Sequence, residues 1–292
     1  MVCLEREKRE MRKIKYLFNP AYYQAHNDIC KRRDTKRLYF SPLRIDLPHG
    51  RGAGATSFCA IEALLAVEKS VQENKKPRKP KKRLPYHVAE QNNTARLRSV
   101  LVVVKTQAMV RSCKDYFKWA MEYLGISGYY TYSHKNNAFI RKGTNNLIKF
   151  VLIDSYLAHI ERIPIQQFTF IVIDDADTLI PHEFWAIKEE VLVMNKFQNR
   201  IVLVSYNPRF KDNWLGLEWD GDYYKGDVNY RRYHADYRSM PRDWLGESFF
   251  KQAKMLKQAN PKAYSEVYLG LPYKEPKKNV PCQRPNPEGL GL

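Results

Sequence analysis

The string His49-Gly50-Arg51-Gly52-Ala53-Gly54-Ala55-Thr56-Ser57 sets three glycines between an apolar run at Leu43–Leu47 and a helical pattern that begins at Thr56. A glycine-rich turn leading from a strand into a helix is the context a phosphate-binding loop requires. Glycines let successive N–H groups turn inward around phosphate oxygens, and the helix start adds its positive end. The usual pattern is G-x-x-x-x-G-K-[ST]. With Gly54 as its second glycine, His49 stands at the first, Ala55 at the lysine, and Thr56 supplies the hydroxyl expected on Mg²⁺. Gly50, Arg51, Gly52, Ala53, Gly54, Ala55, Thr56 and Ser57 would then surround the phosphates of ATP. The missing lysine matters, because a charged hydrogen bond contributes roughly 1.5–3 kcal/mol. A lost donor to transition-state charge costs on the order of 100- to 1000-fold in rate. Arg51 is the nearest compensating cation, although a guanidinium does not simply occupy a lysine's place. On its own, such a turn serves structure as readily as nucleotide.

A second constellation is Phe168–Asp174, an apolar β-rich run that ends in Asp174-Asp175. A buried strand of this kind delivers one carboxylate to Mg²⁺ at its tip, and the next carboxylate polarises the attacking water. Asp174 would be the metal ligand and Asp175 the base, one methylene shorter than the usual glutamate. The competing reading makes Asp175 or Asp177 a cap for the following helical turn. A third run, Arg200–Ser205, ends in Ser205-Tyr206-Asn207-Pro208. Asn207, both donor and acceptor, suits a group that senses the γ-phosphate or its water; an Asn-Pro turn is the alternative. Three such tips in this order are far rarer by chance than any one.

The elements that would carry these tips follow from hydrophobic period. Ser99–Lys105, Leu147–Ile153, Phe168–Asp174 and Arg200–Ser205 are short apolar runs fit for buried parallel strands. Helical patterns cover 56–73, 107–124, 182–194, 241–259 and 261–268, and a charged helix is expected at 4–16. Alternation of this kind predicts an α/β fold: a mostly parallel central sheet flanked by helices, of the additional-strand P-loop NTPase type, with a small helical or irregular C-terminal subdomain. FNPAYYQAHND, with its Asn19-Pro20 turn signal, reads as a loop. The expected divisions are 1–40 as an N-terminal segment, 41–237 as the ATPase core, 238–272 as the helical subdomain and 273–292 as an extended tail.

Composition narrows the partners. Of 292 residues, 50 are Lys or Arg against 31 Asp or Glu, a formal charge of +19, and hydrophobic residues make up 44%. Such a chain affords a sizeable core, and its charge favours a polyanion, nucleic acid ahead of a membrane surface. Seven Lys or Arg lie within 75–83, inside a proline-broken insertion at 75–98. Lys76, Lys79, Lys81, Lys82 and Arg83 are candidate DNA contacts, with a merely solvated loop as the alternative. Five cysteines without a CxxC pair indicate neither a disulfide framework nor a zinc site. No run reaches the ~20 apolar residues of a membrane span, so no membrane partner is expected.

With these residues assembled, the sequence resembles phage terminase large subunits, in the branch whose loop reads GGRGSGKS. HGRGAGATS matches that string at Gly50, Arg51, Gly52 and Gly54, with Thr56 for its serine. IVIDDADTL is similar to the family's Walker B strand, LVSYNPRFKDNWL to its coupling motif, and YHADYRSMPRDWLGESFFKQAKMLKQANPKAYSEVYLG to its end-of-ATPase segment. The upstream FNPAYYQ resembles the segment near the adenine, which implies Tyr22 and Gln24 as nucleotide contacts. The resemblance covers about residues 18–272. It implies Mg-ATP, double-stranded DNA, a portal protein, a small terminase subunit and a homo-oligomeric ring, a pentamer, working in the host cell cytoplasm. The family's Arg-Lys pair reads Val104-Lys105 here, leaving Lys105 and Arg111 as candidate cations acting on a neighbouring subunit's site. The chain ends about twenty residues past Tyr-Leu-Gly, so the family's RNase H-like nuclease domain is expected to be absent. Two readings stay open: an active motor ATPase, or a nucleotide- or DNA-binding terminase-like subunit with little turnover.

Overall fold

A computed structural model describes residues 17–34, 42–75, 99–158, 168–188, 200–208, 215, 227 and 229–271. The expected helix at 4–16, the basic residues from Lys76 to Arg83 and the tail after Leu271 lie outside them. Eight strands form one sheet. They are β1 (Leu43–Pro48), β2 (Ser99–Val104), β3 (Tyr130–Ser133), β4 (Ala138–Arg141), β5 (Leu147–Leu152), β6 (Phe168–Ile173), β7 (Ile201–Tyr206) and β8 (Tyr230–Arg232), in the order β3-β4-β5-β2-β6-β7-β1-β8. All neighbours from β5 to β8 are parallel; only β3–β4 and β4–β5 are antiparallel. The chain therefore has the α/β fold expected from its periodicity.

The described helices are α1 (Tyr23–Asp34), α2 (Ala55–Lys75), α3 (Gln107–Tyr123), α4 (Ile153–Ala158), α5 (Pro181–Lys188), α6 (Gly246–Ala259) and α7 (Pro261–Tyr264). Strand period two sorts the core into two layers. Val100, Val102 and Val104 of β2 face the layer that holds Phe58 and Leu64 of α2 and Phe117 of α3. Leu101 and Val103 face the other, with Tyr156 of α4 and Phe184 of α5. Both faces of the sheet are covered, so β1, β2 and β7 are buried at every residue. This is why their sequences read as unbroken apolar runs. None of the described helices is long and apolar enough to cross a membrane.

Two elements depart from the expectation. FNPAYYQAHND is not a loop. Asn19 accepts from Ala21 N–H at 2.9 Å, Pro20 opens a 3-10 turn, and α1 runs on from Tyr23 to Asp34. Asn-Pro here is a helix start, since proline at the first position sacrifices only an N–H that has no partner anyway. Ala25 and Ile29 are spaced to bury one face. The β3–β4 hairpin was also not expected. Its turn passes through Asn137 at φ 48°, a left-handed conformation that asparagine tolerates, and Asn137 Nδ2 donates to Phe150 O at 2.7 Å.

Two contacts fasten other elements to the glycine-rich loop and its helix. His26 on α1 meets Glu62 on α2 through Nδ1 and Oε1, both side chains being nearly or fully buried. Burial opposes charge on His26, but the Cys30 and Glu62 contacts prevail and push its pKa up to about 10. At the other end, a π-helical turn at Ser265–Leu269 lies against the loop. A Cβ added to Gly50 would sit 2.0 Å from Tyr268 O, and one added to Gly270 2.4 Å from His49 C.

Both contacts are testable. A raised histidine pKa contributes stability that is complete below the unfolded value of roughly 6.5 and is lost as pH rises to about 10. Glu62→Ala should cost roughly 3–5 kcal/mol in urea unfolding at pH 6, and the gap to wild type should narrow towards pH 10. A gap that stays constant with pH would contradict the pair. Gly50→Ala should release the C-terminal segment, read as faster limited proteolysis within 237–271; unchanged protection there would contradict the packing.

Candidate active site

Register brings the three tips together. Ile173 pairs with Val204 across β6–β7, which sets Asp174 beside Ser205. Leu47 pairs with Ser205 across β1–β7, so the glycine-rich loop leaves β1 at the same edge. Asp174 is 3% exposed and collects three donors. Thr56 Oγ1 lies 3.1 Å from each of its carboxylate oxygens. The Ser205 hydroxyl donates to Oδ1, and Cys113 Sγ lies 3.1 Å from Oδ2. Burial, and then the Asp174 charge, push the Cys113 thiol well above its ordinary pKa, so it stays a neutral donor. A carboxylate facing a hydroxyl is a pair of hard oxygen donors that fits Mg²⁺.

The loop presents its amides at this edge. Gly52 and Gly54 adopt φ 80° and 73°, in the left-handed region that glycine reaches without strain. In the first turn of α2, Phe58 N–H reaches Gly54 O at 3.0 Å. The amides of Ala55, Thr56 and Ser57 donate to no described residue. Unsatisfied first-turn amides with the helix dipole behind them form an anion site. The remaining loop amides are spent elsewhere: Gly50 N donates to Ala235 O at 3.0 Å and Arg51 N to Val267 O at 2.7 Å. The resulting cleft, of about 740 Å³, runs from His49–Ser57 past Asp174, Asp175 and Asn207 to Trp244 and Leu245.

Asp175 holds φ 50° and ψ 48°. A left-handed non-glycine residue costs of order 1–3 kcal/mol and persists only where its surroundings impose it. Here Asp175 N–H donates to Ser205 Oγ at 3.3 Å. Asn207 N–H donates to Asp177 Oδ1 at 3.1 Å, and Asn207 Nδ2 to Val267 O at 3.3 Å. Its Oδ1 is buried and has no partner among the described residues. Asp177 thus secures the backbone of the third tip.

Several expected residues stand elsewhere. Tyr22 is fully buried, stacked 4.9 Å from Phe58, and Gln24 is exposed and donates to Asp28 at 3.3 Å. Neither lines the cleft, because α1 turns Tyr22 into the core and Gln24 to solvent. The same segment does reach the loop through Asn19, which donates to Ala53 O at 3.1 Å. Lys105 does not project as a free cation: it pairs with Glu183 and lies 3.8 Å from Asp154. Arg111 is an exposed residue of α3. Arg51 borders the cleft, but its guanidinium lies 5.9 Å over the Tyr268 ring. Ala55, at the lysine position, is buried. The roles of Cys113, Ser205 and Asp177 were missed. Cys113 falls on the apolar spacing of α3 and reads as core; Ser205 and Asp177 flank the tips already singled out and were legible from position alone.

Comparison with known proteins bears on this arrangement. A sequence model for the phage terminase large subunit matches residues 87–271, more than half of the chain, beginning after the glycine-rich loop. No curated protein matches. Among solved structures, the large terminase from a thermophilic bacteriophage superposes with a TM-score of 0.53 and 13% identity, over 79% of this chain and 48% of that one. The same phage's large terminase in complex with ADP gives 0.50 and 14%, over 78% and 47%. The HK97 bacteriophage large terminase gives 0.51 and 10%, over 79% and 47%. At these identities the likeness shows the fold, and the chain spans about half the length of the structures it matches. By the family match over most of its described residues, the chain belongs to the phage terminase large subunit family.

Proposed function

We propose that this chain is the ATPase part of a DNA-packaging motor, coupling Mg-ATP hydrolysis to movement of double-stranded DNA into a procapsid. The observation that carries the reading is the meeting of Thr56 with Asp174 beside the unsatisfied amides of Ala55–Ser57. Those amides would take the β- and γ-phosphate oxygens. Thr56 and Asp174 would hold Mg²⁺, which supplies neutralisation of phosphate charge when bound. Asp175 is aimed as the base for the attacking water, and Asn207 offers the free Oδ1 that would orient it. The ADP complex of the thermophilic phage's large terminase supports nucleotide binding by this fold.

Ala55 makes turnover slow, because no ammonium reaches the transferred phosphate. Arg51, held over Tyr268, does not replace it. This same observation favours the second reading, a subunit that binds nucleotide and DNA with little hydrolysis. The partners we propose follow the family: duplex DNA through Lys76, Lys79, Lys81, Lys82 and Arg83, a portal protein, a small terminase subunit, and a ring of five copies in the host cell cytoplasm. With Lys105 paired to Glu183, Arg111 is the better placed of the two candidate cations for a neighbour's site.

ATP hydrolysis by the purified chain, with and without DNA, tests the reading. Wild type should turn over slowly, Asp175→Asn should abolish turnover, and Ala55→Lys should raise it on the order of 100-fold. A silent wild type beside an active Ala55→Lys variant would favour the second reading. Turnover that survives Asp175→Asn would contradict the assignment of the base.

A further inference from the structure

A second cavity, of about 360 Å³, opens beside the phosphate cleft and shares Gly54, Ser57, Met240 and Trp244 with it. Its volume is within the range of small-ligand pockets. Its outer walls are Trp119 and Tyr123 of α3, and Trp244 of the 3-10 turn before α6. These rings are 40%, 56% and 44% exposed. Core packing does not account for them. The buried face of α3 is Val110, Cys113, Phe117, Ala120 and Met121, whereas Trp119 and Tyr123 stand on the solvent side among charged neighbours. Trp119 and Tyr123 lie with centroids 5.6 Å apart and planes inclined at 37°, so they form one continuous aromatic wall.

Resting on the nucleotide reading above, we infer that this cavity holds the base of the bound nucleoside triphosphate between Trp119 and Trp244, and that it selects for a flat aromatic ring without distinguishing adenine from guanine. Discrimination between bases needs donors and acceptors aimed at the base edge. A site built on such groups rejects a mismatched analogue by orders of magnitude, because its own polar atoms are left unpaired. This cavity lacks them among its described residues. Its one buried polar side chain, Asn19, donates from Nδ2 to Ala53 O at 3.1 Å and Asp236 O at 3.2 Å. Its Oδ1 accepts from Ala21 N–H at 2.9 Å. Every directional group of Asn19 is therefore committed. Ser57, the other polar side chain, is at the end shared with the phosphate cleft. What remains is stacking, which every base satisfies because every base has a π face.

The two walls come from different parts of the chain, α3 and the segment before α6. A bound base would bridge them over the loop.

Tryptophan fluorescence of the full chain, titrated in Mg²⁺ with ATP, GTP and inorganic triphosphate, tests the inference. ATP and GTP should both quench, with Kd values within about tenfold, and triphosphate should compete without quenching. Trp119→Ala and Trp244→Ala should each weaken ATP and GTP alike by about tenfold while leaving triphosphate binding unchanged, and Trp244→Phe should restore affinity. A preference for ATP over GTP of about a hundredfold or more would overturn the lack of selection. Unaltered nucleotide affinity in both alanine variants would overturn the clamp and leave the phosphate site standing. Failure of triphosphate and nucleotides alike to bind would overturn the phosphate site and the clamp together.

Discussion

A carboxylate removed from water must be met by donors or a cation, because the bare charge is too costly to bury. Asp174 stands at the tip of a central strand at 3% exposure, and the surrounding architecture answers that requirement. Ser205 comes from the adjacent strand, Thr56 from the first turn of α2, and Cys113 from α3. Each element is placed by the parallel register of β1, β7, β6 and β2, so one buried charge ties strand order to loop position. β7 lies between the loop strand and the Asp174 strand, and it contributes both Ser205 and the turn that carries Asn207. Thr56, and with it the metal-binding pair, exists only because α2 begins where the left-handed turn at Gly54 lets it.

The same loop is also held from the other side. Val267 O accepts from Arg51 N–H and from Asn207 Nδ2, and Tyr268 O occupies the space a side chain at Gly50 would need. The C-terminal segment thus touches the first and third tips through a single π-helical turn, an irregularity often found at functional sites. Anything that shifts Asn207 toward a phosphate must lengthen its bond to Val267. Binding and the position of the C-terminal helices are in this way linked through two hydrogen bonds and one close backbone contact, with no long chain of intermediates.

Much of this was legible in the sequence because the strands are buried on both faces. Ser99–Val104 and Phe168–Ile173 read as uninterrupted apolar runs, and their polar tips stand out against them. The reach of individual side chains was less legible. Tyr22 and Gln24 share a segment with Asn19, yet only Asn19 meets the loop, because the helix phase set by Pro20 turns Tyr22 inward. Lys105 reads as a free cation until Glu183, 78 residues on, is folded against it. The β3–β4 hairpin was hidden by Asn136-Asn137, whose turn chemistry also fits a loop. The aromatic wall of Trp119 and Tyr123 escaped notice because tryptophan and tyrosine on a helix read as core. Their exposure is a property of packing that periodicity alone does not give.

The account depends on nucleotide phosphate meeting the first turn of α2. Amide hydrogen exchange reads this directly, since Ala55, Thr56 and Ser57 N–H donate to no described residue and should exchange fast in the free chain. Adding Mg-ATP should slow exchange at these three positions while β2 and β7, buried throughout, keep the rates they had. Exchange at Ala55–Ser57 that is unchanged by millimolar Mg-ATP would contradict the site, and the function proposed for it.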